Sequence, residues 1–383
     1  MSDRPLHISL SACEASGDVL GAQLIQSLRK LSPVDIQFSG IAGPAMRAVG
    51  CKVFAETEQL SVMGLIEVVS KLPTIFRLRR RFVQLLLANP PDIFIGIDGP
   101  DFNLGVARRL KAKGIKTVQY VSPSIWAWRG YRICSIGKSI DRMLTLFPFE
   151  TEIYEQHSIP VSCVGHPQLN VLGQYPEKTE AKSLLGMKPG SPCVALLPGS
   201  RRSEIESLLS TFVMVAQICR QQDSSLQFVL PIASTLSEKM VSRIRQAVEV
   251  LPEIHLLDGG QSTTAMAAAD VVLMASGTAA FECMLVNRPM VVAYRLNPLS
   301  YALLKRLIRV KHVSLPNHLT TQPLVREFIQ SAATEEAISA EVLRLLETPA
   351  AEEQMQAFDQ AARRLQAAYN GDSAAITILQ MLV

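Results

Sequence analysis

The sequence predicts an α/β protein made of two Rossmann-like, doubly wound domains that face a cleft, with helices at the C-terminal end. Two observations support this fold class. Short β-branched or apolar runs alternate with longer helical patterns, first in the amino-terminal half and again in the carboxyl-terminal half, as they do in parallel βαβ units. The chain also has 383 residues, and because single cores usually stop growing at roughly 250–300 residues, we expect two domains.

Two series of strand patterns define the two halves. The first series lies at His7–Ala12, Gln37–Ile41, Asp92–Asp98, Lys116–Val121 and Met143–Phe147. The second series lies at Cys193–Leu197, Leu226–Pro231, Ile254–Leu257, Asp270–Ala275 and Met290–Tyr294. Helical patterns separate consecutive strands in both series, and we therefore predict one parallel sheet in each half.

The boundary between the halves falls within residues 168–192, where Pro, Gly and charged residues come together and the strand pattern lapses. After Pro316 the sequence is helical to its end and offers no strand pattern that would extend the second sheet. We expect those helices to pack across the cleft or onto a partner, which leaves a homodimer open. The predicted divisions are residues 1–170, residues 190–345 and, for the C-terminal helices, residues 346–383.

Composition and charge exclude several classes of protein. Hydrophobic residues make up 48% of the chain against 19% charged residues, which is not a disordered composition. The net charge of +4 is too small to imply nucleic-acid binding. Seven scattered cysteines favour free thiols in a reducing cytoplasm and show no metal-ligand spacing. Because a signal-peptide pattern and long apolar runs are both absent, we expect no export and only peripheral association with a membrane.

Turns that follow strands are the first places to examine, because open α/β sheets bind ligands beyond the carboxyl ends of their strands. The first such turn, Cys13–Asp18, has small residues that let a ligand approach the backbone. It also opens a helix, whose amino terminus favours an anion. Ser16, Gly17 and Asp18 are therefore candidate ligand contacts. The alternative is a tight turn in which Asp18 caps the helix.

The second turn places Asp98 directly after an apolar strand. Burial in a low dielectric raises the pKa of a carboxyl group towards the range of a general base, so Asp98 is the first candidate for that role. Glu14, in the first turn, is the second candidate. The alternative is a helix-capping carboxylate at Asp98, and Asp101 or Asn103 would cap the helix equally well.

The third and fourth turns lie in the second half and suit a nucleoside diphosphate. In the third, helix amides, a hydroxyl and a fork-shaped guanidinium would stabilise a departing diphosphate; its residues are Gly199, Ser200 and Arg201. In the fourth, hydroxyl residues open a helix and a carboxylate one turn later would accept hydrogen bonds from ribose; its residues are Ser276, Gly277, Thr278 and Glu282. A plain N-cap explains Ser276 alone but not its pairing with the third turn. Since no DxD pair lies near these turns, we expect no metal cofactor.

A basic amphipathic segment follows the apolar run Val62–Leu72. On a helix starting near Pro73, arginines fall on one side and apolar residues, among them Leu85, on the other, although Arg79 interrupts the apolar side. Such a segment is typical of an interfacial membrane anchor. The alternative is a core helix with a solvated arginine face. The predicted membrane contacts are Val62, Val68, Val69, Leu72, Arg77, Arg80 and Arg81.

Seven motifs together resemble the lipid-A-disaccharide synthase family. In chain order they are EASGD, VMGxxEV, GIDGPDFN, YVSPSIWAWR, LLPGSR, ASGTAAFE and SLPN. The resemblance covers nearly the whole chain, and the order and spacing of the motifs make it specific. One departure is Cys13, which stands where the family commonly has glycine and places a thiol near the predicted cleft.

The resemblance implies a two-domain glycosyltransferase fold of the B type, with UDP in the carboxyl-terminal domain and the acceptor in the amino-terminal one. It implies that UDP-2,3-diacylglucosamine donates its sugar, with inversion, to the 6-hydroxyl of 2,3-diacylglucosamine 1-phosphate at the cytoplasmic leaflet. Under this interpretation Asp98 is the base, Arg201 stabilises the leaving diphosphate, and Ser16–Asp18 lie on the acceptor side. Asn317, in the SLPN motif, joins the predicted UDP site.

Three alternatives remain open. A UDP-N-acetylglucosamine 2-epimerase would share the fold and the nucleotide site but would need no second sugar, and the basic amphipathic segment argues against it. A polyprenyl-linked N-acetylglucosaminyltransferase would show a GGTGGH-like loop where this chain has CEASGD. A non-catalytic nucleotide-sugar-binding membrane protein would keep the turns of the second half without needing Asp98.

Overall fold

The computed structural model describes residues 4–60, 65–127, 130–234, 236–296, 311–347, 349–369 and 371–382, with the side chains of residues 65–71 left out. The chain divides into two units. The first comprises Met1–Pro167 and Ala368–Val383, and the second comprises Gln168–Ala367. Each unit is an α/β domain built on one parallel sheet. The predicted pair of Rossmann-like domains is therefore confirmed.

The sheet of the first unit is parallel throughout. Its strands are β1 (Leu6–Ala12), β2 (Ile36–Ala42), β3 (Lys52–Glu56), β4 (Ile93–Ile97), β5 (Lys116–Tyr120), β6 (Arg142–Thr145) and β7 (Val161–Cys163). Their order is β3-β2-β1-β4-β5-β6-β7. Because the strand order reverses between β1 and β4, the turns after these two strands lie at a topological switch point, where doubly wound sheets bind ligands.

The sheet of the second unit repeats this design. Its strands are β8 (Cys193–Leu197), β9 (Gln227–Pro231), β10 (Ile254–Leu257), β11 (Val271–Ala275), β12 (Met290–Tyr294) and β13 (Glu327–Ile329). Their order is β10-β9-β8-β11-β12-β13, and all the pairs are parallel. The corresponding switch point lies between β8 and β11, so the third and fourth predicted turns follow neighbouring strands.

Helices connect the strands in the order that a doubly wound fold requires. In the described part of the chain they are α1 (Ala15–Leu31), α2 (Pro44–Ala48), α3 (Leu65–Ala88), α4 (Pro100–Lys111), α5 (Ile133–Gly137), α6 (Thr151–Glu155), α7 (Lys178–Leu184), α8 (Arg202–Gln222), α9 (Glu238–Val248), α10 (Ser262–Ala268), α11 (Ala279–Leu285), α12 (Leu315–Leu319), α13 (Glu335–Leu346), α14 (Ala350–Ala368) and α15 (Ser373–Leu382). Short 3₁₀ turns lie at Thr57–Gln59, Gly130–Arg132, Pro148–Glu150, Pro167–Val171 and Gln330–Ala332.

The central strands are buried on both faces, as apolar parallel strands require. Every residue of β4, β8 and β11 is buried. In β4, Ile93 and Ile95 belong to a core formed with α1 and α15, whereas Phe94 belongs to a core formed with α3 and α4. The alternation of side chains along the strand thus fills the layers on its two sides.

Three strands were not predicted from the sequence: β3, β7 and β13. All three lie at an edge of a sheet, and most of their residues are partly exposed. Backbone pairing to one neighbour holds them, and such pairing leaves little pattern in the side chains. The expectation that no strand follows Pro316 was wrong, because Glu327–Ile329 pairs with β12 and extends the second sheet.

Helix α3 also differs from its prediction. It begins at Leu65 and contains Pro73 in its interior, whereas the sequence placed the helix start near Pro73. Proline suits a first turn because it lacks an N–H, but a favourable apolar run before it continues the helix past this missing hydrogen bond. Val62 lies outside the described residues, and so do the side chains of Val68 and Val69.

The C-terminal helix α15 belongs to the first unit and packs against α1. Ala374, Ala375 and Ile378 are buried in the same core as the apolar residues of β1. An ion pair between Lys30 and Asp372, at 2.8 Å, lies at the edge of this contact. The last helix of the chain therefore completes the core that the first strand begins.

Candidate active site

The Asp98 carboxylate joins the first and second predicted turns. Its Oδ1 accepts a hydrogen bond from the Cys13 amide at 2.8 Å, and its Oδ2 accepts one from the Glu14 amide at 3.1 Å. Strands β1 and β4 are neighbours, so the turns after them meet at the carboxyl edge of the sheet. The two side chains proposed as base, Asp98 and Glu14, are thereby brought into one site.

The backbone of Asp98 is held in an unusual conformation. Its φ of 54° lies in the left-handed region, which costs a residue other than glycine about 1–3 kcal/mol. Its carbonyl oxygen accepts hydrogen bonds from Gln119 Nε2 at 2.8 Å and from Asn103 Nδ2 at 3.2 Å. These two side-chain amides hold the strained backbone of the turn in place. Asn103, considered as a helix cap from the sequence, instead fixes the candidate base.

Gly17 lets the first helix approach the carboxylate directly. A Cβ at this position would lie 1.8 Å from Asp98 Oδ2, so any side chain would push the carboxylate away. Glu14 and Ser16 are exposed beside it. The small residues of the first turn therefore allow the close approach of a protein side chain, and the approach of a ligand stays a prediction.

Burial is the main influence on the titration of Asp98. It raises the pKa of this carboxyl from 3.8 to about 7, and the nearby charge of Glu14 acts in the same direction, whereas the two amide hydrogen bonds oppose the rise. A carboxylate with a pKa of this value can take a proton near neutral pH. Burial also raises the pKa of the Cys13 thiol, which is therefore neutral beside it.

Asp18 is buried and caps a helix, although not its own. Its Oδ1 accepts hydrogen bonds from the amides of Gly43 and Met46, at 2.7 and 3.1 Å, and its Oδ2 accepts one from Ala45 at 2.7 Å. These amides form the amino terminus of α2. The capping alternative considered from the sequence thus holds in a different form, because Asp18 satisfies the orphan donors of α2 rather than those of α1.

In the second unit, the third turn leads into α8 with Arg201 at the N-cap. Glu204 Oε2 accepts hydrogen bonds from the amides of Ser200 and Arg201, at 3.1 and 3.2 Å. Gly199 has a φ of 116°, and a Cβ there would lie 2.3 Å from the same oxygen. The Arg201 side chain is 74% exposed. Two amides predicted to face a diphosphate therefore already bond a carboxylate of the chain, while the guanidinium is largely exposed and lies 3.8 Å from Glu204 Oε1.

The fourth turn opens α11, as predicted. Gly277 is exposed, and the space that a Cβ would occupy there is open. The Ser276 hydroxyl donates a hydrogen bond to the Val313 carbonyl at 3.3 Å. The Glu282 carboxylate accepts a hydrogen bond from the Thr263 hydroxyl. Since β8 and β11 are paired, this turn and the third lie after adjacent strands of one sheet.

Asn317 makes only internal contacts among the hydrogen bonds described for its side chain. Its Nδ2 donates to the Val325 carbonyl at 2.8 Å and to Glu327 Oε1 at 2.7 Å, and its Oδ1 accepts from the Val325 amide at 3.0 Å. Sequence reasoning named Asn317 as a UDP contact but missed Glu327. A single glutamate in a short edge strand carries no motif, so no signal in the sequence would have found it.

Helix α3 combines a buried stripe with an exposed basic face. Phe82, Val83 and Leu86 are buried in the first unit. The exposed face carries both charged and apolar side chains, namely Arg77, Arg80, Arg81, Leu72, Phe76 and Leu85. Leu85 was placed on the apolar side from the sequence, yet it is 42% exposed. One stripe of the helix thus packs on the core while its arginines are exposed, and docking on a membrane stays a prediction.

Arg79, which interrupts the apolar side of α3, has a partner in α4. Its Nη1 donates to the Asp101 carbonyl at 3.3 Å, and its guanidinium lies 4.7 Å from the centre of the Phe76 ring. Asp101, the other residue considered as a cap, is paired with Arg132 at 2.6 Å. An arginine on the inner side of the helix therefore links α3 to the turn that carries Asp98.

Within the part of the chain that the structure describes, no helix is long and apolar enough to cross a membrane. The same residues contain no group of three or more His, Cys, Asp or Glu side chains that could hold a metal ion.

Comparison with known proteins finds a matching family model and similar sequences. A family model described as lipid-A-disaccharide synthetase matches residues 8–378. The lipid-A-disaccharide synthase of Cellvibrio japonicus is 47% identical over 349 residues, which cover 90% of this chain and 89% of that relative. The protein of the same name from Pseudomonas aeruginosa strain UCBPP-PA14 is 46% identical over 360 residues, 94% of each chain.

Solved structures show the same fold at low sequence identity. A UDP-GlcNAc 2-epimerase from Neisseria meningitidis, bound to UDP-GlcNAc, matches with a TM-score of 0.65 and 12% identity over 99% of each chain. The glycotransferase of kitacinnamycin matches with a TM-score of 0.61 and 15% identity over 99% of this chain and 100% of that one. At such identities the likeness concerns the fold alone.

Proposed function

The chain belongs to the lipid-A-disaccharide synthase family of glycosyltransferases in lipid A biosynthesis, and from that premise we propose its substrates and mechanism. The donor is UDP-2,3-diacylglucosamine, and the acceptor is 2,3-diacylglucosamine 1-phosphate. The 6-hydroxyl of the acceptor attacks the anomeric carbon of the donor with inversion. The products are a β-1,6-linked tetra-acylated disaccharide 1-phosphate and UDP.

Asp98 is the general base in this proposal. As the new C–O bond forms, its carboxylate takes the proton of the acceptor hydroxyl, and the bond between the anomeric carbon and the diphosphate breaks. The observation that carries this role is a partly buried carboxylate with a pKa of about 7, fixed by two amides at the switch point of the first sheet. Glu14 is the second candidate because its amide bonds Asp98 and its side chain is exposed.

The second unit binds UDP in this proposal. The exposed guanidinium of Arg201 neutralises the leaving diphosphate, with help from the amino termini of α8 and α11. Gly199, Ser200, Gly277 and Thr278 line the two turns that follow β8 and β11, and Glu282 accepts hydrogen bonds from ribose. No metal takes part, because the guanidinium and the helix termini supply the positive potential.

Titration calorimetry with UDP and a turnover assay with both acylated sugars test the assignment together. Wild-type protein should bind UDP and form the disaccharide only when both sugars are present. Release of N-acetylmannosamine from UDP-N-acetylglucosamine, without a second sugar, would instead favour an epimerase. The solved epimerases support only a shared fold, since their identity to this chain is about as low as that of the glycosyltransferases.

We further propose that the exposed face of α3 docks the first unit on the cytoplasmic leaflet, where the acyl chains keep both substrates. The support is an exposed surface on which Arg77, Arg80 and Arg81 stand beside Leu72 and Phe76. Basic side chains attract anionic lipids, and apolar ones enter the interface. Val62, Val68 and Val69 remain part of this proposal on the strength of the sequence.

A further inference from the structure

The buried carboxylate of Glu327 organises the short segment 313–317, which leads into α12 and includes its first residues. The Glu327 side chain is 6% exposed. Oε2 accepts a hydrogen bond from the Val313 amide at 2.8 Å. Oε1 accepts three, from the Ser314 amide at 3.0 Å, the Ser314 hydroxyl at 2.8 Å and Asn317 Nδ2 at 2.7 Å. Four donors from one short segment thus converge on a single negative charge, and charge-assisted bonds of this kind are stronger than neutral ones.

The same segment contacts the fourth turn. The Val313 carbonyl accepts a hydrogen bond from the Ser276 hydroxyl at 3.3 Å, while the Val313 amide donates one to the Glu327 carboxylate. Helix α12, which carries Asn317, packs against α11. A continuous path of contacts therefore runs from the Glu327 carboxylate through Val313 to the turn that opens α11.

We propose that Glu327 is a positioning residue for the UDP site, acting through Val313, Ser314 and Asn317 on the Ser276 turn. The inference rests on the proposed function of that turn. Glu327 makes no contact with the nucleotide in this scheme. It holds the Ser276 hydroxyl and the start of α11 in the arrangement that binds UDP, and Asn317 serves the same scaffold through its bonds to Glu327 and Val325.

Loss of the charge has a defined consequence. Glutamine keeps the size of the side chain but replaces one carboxylate oxygen with an NH₂ group, which cannot accept from an amide or hydroxyl. At least one of the four donors then loses its acceptor in a buried place, and an unsatisfied buried donor is costly. The segment relieves this by shifting away, and the Ser276 turn shifts with it. UDP affinity should therefore fall although no nucleotide contact has been removed.

Glu327→Gln is compared with Asp270→Asn as a matched control. Asp270 is a half-buried carboxylate of the same unit that accepts the Cys193 amide at 2.8 Å and pairs with Lys178 and Lys182 at 2.6 and 3.0 Å. It precedes β11, whereas Ser276 follows that strand, so it lies at the opposite edge of the sheet. Both substitutions remove a carboxylate with several partners, but only one touches the segment before α12.

Calorimetry with UDP should show a dissociation constant raised about tenfold in Glu327→Gln, which equals about 1.4 kcal/mol, and unchanged in Asp270→Asn. The KM for the donor should rise in parallel, with kcat at saturating donor close to that of the wild type. Glu327→Asp, which keeps the charge on a shorter stem, should recover part of the UDP affinity.

Equal UDP affinities for Glu327→Gln and the wild type would overturn the inference and leave the proposed UDP site intact. So would a loss of kcat at unchanged KM, since it would place the effect in chemistry. If Glu327→Gln does not fold, Ser314→Ala replaces it, because that variant removes one donor and keeps the charge; unchanged UDP affinity there also overturns the inference. A wild-type protein that binds no UDP would overturn the proposed function itself.

Discussion

Replacing Asp98 with asparagine separates the charge of this side chain from its shape. The pKa of about 7 makes the carboxylate a base that is available at neutral pH. Asp98→Asn should therefore lower turnover by about 100-fold or more, with UDP binding unchanged. In the wild type, kcat/KM should fall about tenfold for each pH unit below about 7, because the protonated carboxyl cannot accept the proton of the hydroxyl.

The same pKa gives the stability of the fold a pH dependence of defined sign. The folded protein holds the Asp98 proton more tightly than the unfolded chain, whose pKa is 3.8. The stabilisation from this group is therefore complete below about pH 4 and is lost as the pH rises through about 7. Linkage gives a loss on the order of 2–3 kcal/mol between pH 5 and pH 8. Because the side chain is partly exposed, we expect about 1–2 kcal/mol.

Urea unfolding at pH 5 and pH 8 measures this difference in the wild type and in Asp98→Asn. The free energy of unfolding of the variant, relative to that of the wild type, should be about 1–2 kcal/mol higher at pH 8 than at pH 5. The reason is that the variant has no proton to lose at this position. Asp141→Asn is the control: Asp141 accepts two hydrogen bonds from Thr117 and pairs with Lys111 at the opposite edge of the same sheet. It should keep the wild-type profile of rate against pH.

Two outcomes would refute this reasoning. Near-normal turnover in Asp98→Asn would remove the base from Asp98 and move the assignment to Glu14. A stability difference between variant and wild type that is the same at pH 5 and pH 8 would show that burial does not raise the pKa of this carboxyl.

Further predictions concern the leaving group, metals and the membrane. Arg201→Ala should lower turnover by about 100-fold, because one charge-assisted contact to the departing diphosphate is worth about 2–4 kcal/mol; wild-type activity would contradict the assignment. EDTA should leave the rate unchanged, and a loss that magnesium or manganese restores would show that a metal is required. Flotation with anionic vesicles should show binding that salt weakens, since each basic residue near the surface contributes about 1 kcal/mol. That binding should fall in a variant with Leu72 and Phe76 changed to serine, and equally when glutamine replaces Arg77, Arg80 and Arg81. Unchanged binding in both folded variants would refute the docking proposal.

The sequence predicted the parts of the fold that depend on burial. The central strands are continuous apolar runs because both of their faces are covered, and this pattern is visible in one dimension. The edge strands β3, β7 and β13 were missed because backbone pairing, rather than a pattern of buried side chains, holds them in the sheet. The start of α3 was wrongly placed near Pro73 because proline is commoner in the first turn of a helix than in its interior.

The candidate site divides in the same way. Asp98 was found because it ends a buried strand at a switch point, a feature that the local pattern reveals. Its contacts with Gly17 and with the Cys13 amide join segments more than 80 residues apart in the chain. Asp18 likewise caps α2 through amides 25 to 28 residues away. Contacts of this range follow from the folded topology and leave no periodic signal.

The return of α15 to the first unit also determines when that unit can complete its core during synthesis. The ribosome has finished residues 4–167 long before it adds Ile378, which fills the core around β1. At about 5–20 residues per second, roughly 10–40 seconds separate the two events. During that interval the part of α1 that packs against α15 has no cover, whereas the second unit is continuous in the chain. The first unit is thus synthesised first, but its core is completed only after the whole second unit has been made.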